Sequence, residues 1–210
     1  MPPSFLADPP ADAESFVGKP SLWARIQRVE VKGTLVAAPA RYVKEQFGPE
    51  GFQLVEAALS PGARSIFTSP PLAFEWTRYE PMLEIDYFIT KLVMNNRMEQ
   101  MQHFGGEIAG YDLPLAYRVL FKVGSPGFVV GRLGSAYRAY LRPGTVVVVG
   151  GDRSATIRLE GSCLPLYMCK YGIAGWIQSA LKLSGGKGIH VEHTGCLHLG
   201  GECVWEATWH

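Results

Sequence analysis

The chain has 210 residues, 47% of them hydrophobic, and its 20 Lys and Arg residues nearly balance its 19 Asp and Glu residues. This composition supports a sizeable core and excludes extensive disorder, while the net charge of +1 lacks the basic excess typical of nucleic-acid-binding domains. No apolar run approaches the length of a membrane span. Four cysteines in a chain of this length do not make a disulfide scaffold, so we expect a cytoplasmic protein whose cysteines are thiols or metal ligands.

The N-terminal segment is rich in Pro, Ala and acidic residues and lacks the basic start and apolar stretch of a secretory signal. Residues 1–22 are therefore expected to form a flexible tail. The remaining residues, 23–210, contain no internal repeat and no linker-like composition. They are expected to form a single α+β domain of the ligand-binding type.

The front half of the chain has mainly helical periodicity. Ile26–Ala37 alternates and predicts a strand or a short hairpin arm, whereas Tyr42–Leu59 predicts two short helices. Pro81–Asn95 carries an apolar stripe at helical spacing, and Met98–Tyr111 continues as a helix. Gly105–Gly106 lies inside that helix, and paired glycines permit close packing or a kink.

The back half changes to the periodicity of strands. Leu113–Val123 and Phe128–Leu141 add further helices, but Thr145–Val149 and Ala155–Glu160 flank a turn and predict a strand–turn–strand unit. The continuous valines are typical of a strand covered on both faces. With the amphipathic helix Tyr171–Leu183 and a closing hairpin, the pattern predicts helices packed on an antiparallel sheet, an α+β fold.

The C-terminal unit concentrates the residues that can coordinate a metal ion. If the hairpin pairs Cys196 with Cys203, period-two alternation places Glu192 on the same face, and helix packing brings Cys169 over it. Three thiolates and a carboxylate would suit a tetrahedral zinc ion. The alternative is that these cysteines are small buried apolar side chains and that Glu192 is an exposed strand residue.

The order of Cys169, a helix with Gly and aromatic residues, a V-x-E motif and two further cysteines resembles the 4-vinyl reductase domain. It is also similar to the sensor domain of activators of aromatic catabolism. The resemblance implies an α+β module, similar to TRAPP subunits and to haem-based nitric-oxide sensor domains in fold. It implies a zinc ion held by four residues, namely Cys169, Glu192, Cys196 and Cys203.

The match departs from the family pattern by one extra residue between Glu192 and Cys196. His193 or His198 is therefore an alternative to Cys196, and a vestigial site is another alternative. The motifs VKGTL and CVWEATW also resemble a myxobacterial paralogous family with no assigned activity.

In the fold that the resemblance implies, a ligand cavity lies between the helices and the sheet, as small-molecule pockets commonly do. The candidates for its lining are aromatic or imidazole side chains on the predicted helices: Tyr87, Phe88, His103, Phe104, Tyr111, Tyr171 and Trp176. Each is also explained as ordinary core. Haem ligation by His103 is disfavoured, because a lone His on a partly apolar helix is more often a packing residue.

These features predict a non-enzymatic sensor or binding module with a structural zinc ion and a small apolar or aromatic ligand. The alternative is a protein-assembly module that forms a homodimer, or binds a partner protein, through a helical face. An enzyme is the least expected class, since the sequence shows no nucleophile–base arrangement, phosphate loop or dinucleotide fingerprint.

Overall fold

A computed structural model of the chain describes residues 19–97, 99–112 and 124–210. The helices in these ranges are α1 (Pro20–Ile26), α2 (Gly33–Ala58), α3 (Pro61–Thr68), α4 (Glu80–Leu92), α5 (Gln100–Asp112), α6 (Pro126–Val130), α7 (Leu133–Tyr140) and α8 (Ala174–Leu183). The strands are β1 (Glu30–Lys32), β2 (Trp76–Arg78), β3 (Leu141–Arg142), β4 (Thr145–Gly150), β5 (Ser154–Glu160), β6 (His190–Gly195) and β7 (Cys203–Thr208). The predicted α+β class is confirmed.

The strands form two antiparallel sheets. A small one has the order β2-β1-β3, and a four-stranded one has the order β4-β5-β7-β6. In the larger sheet Ile157 pairs with Trp205 and Leu159 pairs with Cys203, and all four side chains are buried. One face of the central strands β5 and β7 is therefore the floor of the core, as period-two alternation requires.

The helices cover this floor in close contact with one another. A π-helical turn (Met168–Ile173) leads directly into α8, and α5 packs across both. A Cβ atom at Gly105 would collide with the backbone of Gly172, and one at Gly175 would collide with the backbone of Gln102. Close packing at Gly105, which the paired glycines predicted, is thus confirmed.

Two strand predictions are wrong in part, one in the extent of the strand and the other in its position in the sheet. Within Ile26–Ala37 only Glu30–Lys32 is a strand, and α2 begins at Gly33, because its apolar positions continue at helical spacing into the core. The valine-rich strand β4 lies at the edge of its sheet, where Val149 is 64% exposed. A run of apolar residues indicates a strand but does not decide how many neighbours it has.

Some predictions fall outside the described residues, namely the helix Leu113–Val123 and most of the tail. Pro20 begins α1 within the segment predicted as tail. The assignment of residues 23–210 to a single domain stays a prediction. Within the described ranges, we find no helix whose length and apolar character would allow it to cross a membrane.

Candidate functional site: an apolar cavity and a thiol cluster

A cavity of about 130 Å³ lies between the helices and the four-stranded sheet. Helices α2, α4, α5, α7 and α8 contribute to its lining, together with the π-helical turn and the sheet, and most of the side chains are apolar. The volume is close to the roughly 150 Å³ of an engineered apolar cavity that binds benzene or xenon. It is well below the roughly 300–1,000 Å³ of a pocket for a drug-sized ligand.

Two of the seven predicted ligand-binding residues, Phe104 and Trp176, belong to this lining. The structure places four others elsewhere, namely Tyr87, Phe88, His103 and Tyr171, and the side chain of Tyr111 lies outside the described part of the chain. Tyr87 packs edge-on against Phe88 and its hydroxyl accepts a hydrogen bond from Lys91. Helical spacing identified an aromatic-rich face but not which side of the helix the cavity would occupy.

Asp86 and Tyr79, which we call the cavity pair, bring polar groups into the apolar lining. Asp86 is 1% exposed, and its Oδ2 accepts a hydrogen bond of 3.1 Å from the hydroxyl of Tyr167. Burial raises the pKa of Asp86 to about 7, although the hydroxyls of Tyr167 and Tyr79 partly oppose the shift. The Tyr79 hydroxyl lies beside the Asp86 carboxyl and lowers its pKa, but among the described residues neither this hydroxyl nor Asp86 Oδ1 makes a short hydrogen bond.

Helix α4 accounts for the position of this pair. Tyr79, Met82 and Asp86 follow one another at spacings of three and four residues, so they share one face, and all three line the cavity. The sequence-based choice of ligand residues missed Asp86. The signal was available, since Asp86 is an acidic residue inside the apolar stripe of a helix, where an ionised side chain is costly.

The second candidate site is a thiol cluster, which we define as Cys169, His193, Cys196 and Cys203. The sulfur atom of Cys203 lies 3.7 Å from that of Cys169 and 3.7 Å from that of Cys196. The ligand atoms of all four residues lie within 4.8 Å of one another. Thiol sulfurs and an imidazole nitrogen so arranged are donors of the kind that binds a soft metal ion, and metal binding by this cluster stays a prediction.

Within the cluster, contacts between the sulfur atoms shift the pKa values of the three thiols in different directions. Contacts with Cys169 and then Cys196 hold the pKa of Cys203 well below its usual value of 9.0. Contacts with Cys196 and Cys203, together with burial, raise the pKa of Cys169 well above 9.0. The contact with Cys169 lowers the pKa of Cys196, but the contact with Cys203 and burial raise it to about 11. Cys203 is therefore the thiol that loses its proton first.

Cys196 meets Cys203 as predicted, with the two sulfur atoms 3.7 Å apart, but the strand before Cys196 does not alternate regularly. His193 pairs with Trp205 and Gly195 pairs with Val204, so the strand bulges between them. The bulge shifts the alternation, so that His193 joins the three sulfur atoms while Glu192 points the other way, with a side chain 66% exposed. His198, the other alternative ligand, lies beside Cys163, with its Nε2 4.0 Å from the sulfur, and also contacts the carbonyl of Leu164.

Comparisons with known proteins place the fold. No protein-family model matches the sequence, and no curated protein matches it. The Fe(II) unliganded H-NOX protein from K. algicida superposes with a TM-score of 0.65 at 12% identity, over 85% of this chain and 96% of that one. The S. oneidensis H-NOX protein in the Fe(II)NO ligation state superposes with a TM-score of 0.61 at 15% identity, over 85% of this chain and 99% of that one. This chain shares the fold of H-NOX proteins.

The same comparisons correct two predictions. The resemblance to the 4-vinyl reductase domain, the aromatic-catabolism sensor domain and the TRAPP subunits is wrong, because the structural neighbours are H-NOX proteins. Zinc as the cofactor is also wrong. The neighbours are described with Fe(II), and one with a TM-score of 0.60 at 12% identity over 84% of this chain and 99% of its own comes from work on heme redox potential and porphyrin distortion.

The lining of the cavity does not fit haem. Haem iron needs an axial ligand, commonly His or Cys, and in the stretches that the structure describes neither residue lines the cavity. Lys and Arg, which would neutralise the propionates, are likewise missing from the described lining. Burial raises the pKa of Tyr79 and of Tyr137, so ligation of iron by the phenolate of either of these two residues is disfavoured. His103 is exposed and packs edge-on against Tyr42.

Proposed function

We propose that this protein is a non-enzymatic sensor or binding module that holds a small apolar molecule in the cavity between its helices and its sheet. The observation that carries the proposal is the cavity of about 130 Å³ with an almost entirely apolar lining. Filling an apolar space of this size with a ligand that has about as many heavy atoms as benzene lowers the free energy, because apolar surface of the ligand and the protein leaves water.

The H-NOX neighbours support the interpretation of this protein as a sensor. They include an Fe(II) unliganded state and an Fe(II)NO state, so proteins of this fold hold a centre that takes a small ligand. In this chain the lining suits direct binding of an apolar ligand in the cavity, rather than binding of a haem whose iron would take the ligand. The alternative of a protein-assembly module predicts a filled core, and the cavity argues against it; a homodimer stays a prediction.

Benzene binding to the purified protein tests the proposal. Trp176 and Trp205 line the cavity, so we expect a saturable change in tryptophan fluorescence on titration with benzene. The protein as isolated should lack the visible absorption bands of haem. A chain that carries haem, or one whose fluorescence does not respond to benzene, would contradict the proposal.

A matched pair of substitutions localises the binding. Ala136 is 3% exposed and lines the cavity, so Ala136→Leu should fill part of the space and weaken benzene binding about tenfold or more. Ala57 is exposed on α2, so Ala57→Leu adds the same atoms without entering the cavity and should leave the affinity unchanged. Equal effects of the two variants would place the binding site elsewhere.

A further inference from the structure

The cavity pair is unusual because its free polar atoms face an open apolar space rather than a protein partner. Asp86 is 1% exposed and Tyr79 is 5% exposed, and both residues line the cavity. Asp86 Oδ1 and the Tyr79 hydroxyl lack hydrogen-bond partners in the described part of the chain. Buried polar groups in native proteins nearly always have partners, so two adjacent exceptions at one cavity point to a missing ligand group.

The carboxyl group is held in place for such a partner. The Tyr167 hydroxyl donates to Oδ2 of Asp86 at 3.1 Å, which leaves Oδ1 as the oxygen with capacity to accept. The Tyr79 hydroxyl lies beside the Asp86 carboxyl and lowers its pKa, so the two groups border the same part of the cavity. Tyr79 precedes α4 and Asp86 lies within it, so the helix fixes their relative position.

We propose that the cavity pair recognises a single hydroxyl group on an otherwise apolar ligand, an inference that rests on the proposed function. When Asp86 is ionised, a ligand hydroxyl donates its hydrogen to Oδ1 and accepts the hydrogen of the Tyr79 hydroxyl. One small group then satisfies both free protein atoms, and the apolar body of the ligand fills the remaining space. The ligand class is therefore a small alcohol.

An ammonium group fits this pair less well. It offers three donors and no acceptor, so it would leave the hydrogen of the Tyr79 hydroxyl without a partner. It would also bring a charge pair into an almost entirely apolar lining, where the loss of hydration offsets much of the attraction. A purely apolar ligand fills the space but leaves both polar atoms unsatisfied.

Three probes with the same number of heavy atoms separate these classes: cyclopentanol, cyclopentylamine and methylcyclopentane. Isothermal titration of the wild-type protein should give the lowest Kd for cyclopentanol, with methylcyclopentane binding about tenfold more weakly. Tyr79→Phe should reduce the preference for the alcohol by about tenfold and leave methylcyclopentane binding unchanged. Asp86→Leu should act in the same direction. Tyr171→Phe removes the same atom outside the cavity lining and should leave the preference intact.

The outcomes separate the two proposals. If methylcyclopentane binds but the alcohol has no advantage, or if Tyr79→Phe and Asp86→Leu leave that advantage intact, hydroxyl recognition is overturned while the binding function stands. A tighter complex with cyclopentylamine also overturns it. If none of the probes binds, the proposed function itself fails. Thermal melting of each variant identifies any that does not fold, and Tyr79→Phe is expected to fold because its hydroxyl has no partner to lose.

Discussion

The three thiols of the thiol cluster and both residues of the cavity pair are buried, whereas His193 is half-buried, and the donor and acceptor atoms of the two groups face different surroundings. In the thiol cluster the ligand atoms converge on one another within 4.8 Å, and none of the four residues lines the cavity. In the cavity pair, Asp86 Oδ1 and the Tyr79 hydroxyl border an open apolar space. The ligand atoms of the cluster could therefore bind a single ion, whereas the polar atoms of the pair could bind a group on a molecule that fills the cavity.

This difference shows why clusters of ligating residue types are an incomplete guide to function. Cysteines are potential metal ligands by residue type alone, so those of the hairpin predict a site without any knowledge of the fold. The cavity pair consists of an Asp and a Tyr, which are common residues, and only the space beside them makes them informative. A size-limited ligand is recognised by that space together with a few polar groups.

The largest expected effect comes from Trp205, which contacts both regions. Its ring lines the cavity and lies 5.3 Å from that of His193, and its Nε1 donates a hydrogen bond of 2.8 Å to the carbonyl of Cys169. Trp205→Ala should lower the free energy of unfolding by about 3–5 kcal/mol in urea titrations. Trp205→Phe keeps an aromatic ring and should cost clearly less. A loss below about 1 kcal/mol for Trp205→Ala would show that the two regions do not share this support.

The next effect is a pH dependence that belongs to the cavity pair. Folded Asp86 keeps its proton up to about pH 7, because burial raises its pKa, whereas the usual value is 3.8. Between these values the folded state binds more protons, so the free energy of unfolding falls as pH rises, by as much as about 4 kcal/mol. Asp86→Asn, which does not titrate, should flatten this part of the profile. Parallel profiles for the two proteins would contradict the assignment to Asp86.

A substitution in the thiol cluster should affect stability without affecting ligand binding. Cys203→Ala removes the sulfur that contacts both other thiols and should cost about 1–3 kcal/mol of unfolding free energy. The affinity for cyclopentanol should stay within about twofold of the wild-type value, since Cys203 does not line the cavity. A large loss of affinity would mean that the two regions act as one site.

The smallest effects compare the two tyrosines beside Asp86. Tyr167→Phe removes the hydroxyl that donates to Oδ2 and should cost about 1 kcal/mol. Tyr79→Phe removes a hydroxyl without a partner and should change the free energy of unfolding by less than about 0.5 kcal/mol, or raise it. Thermal denaturation of both variants without ligand measures the difference. A greater loss for Tyr79→Phe would show that its hydroxyl already has a partner in the free protein.

Part of the candidate site could be predicted from the sequence. Period-two alternation placed Cys203 and Trp205 on one face of the last strand, and both are buried there. The meeting of Cys169 and Cys196 with Cys203 also followed from helix–hairpin packing. The position of Glu192 did not follow, because one extra residue in a strand reverses every side chain beyond it, and the bulge after His193 is a property of the pairing.

The sequence by itself determined the α+β class, the helical front half and the closing hairpin, because each depends on periodicity that neighbouring residues carry. It also indicated either close packing or a kink at Gly105, and the structure shows close packing there. Only the tertiary structure decided that β4 is an edge strand, that His193 rather than Glu192 joins the thiols, and that Asp86 and Tyr79 border a cavity. Those features depend on which surfaces meet and how completely they fill the space between them, and no single segment of the chain carries that information.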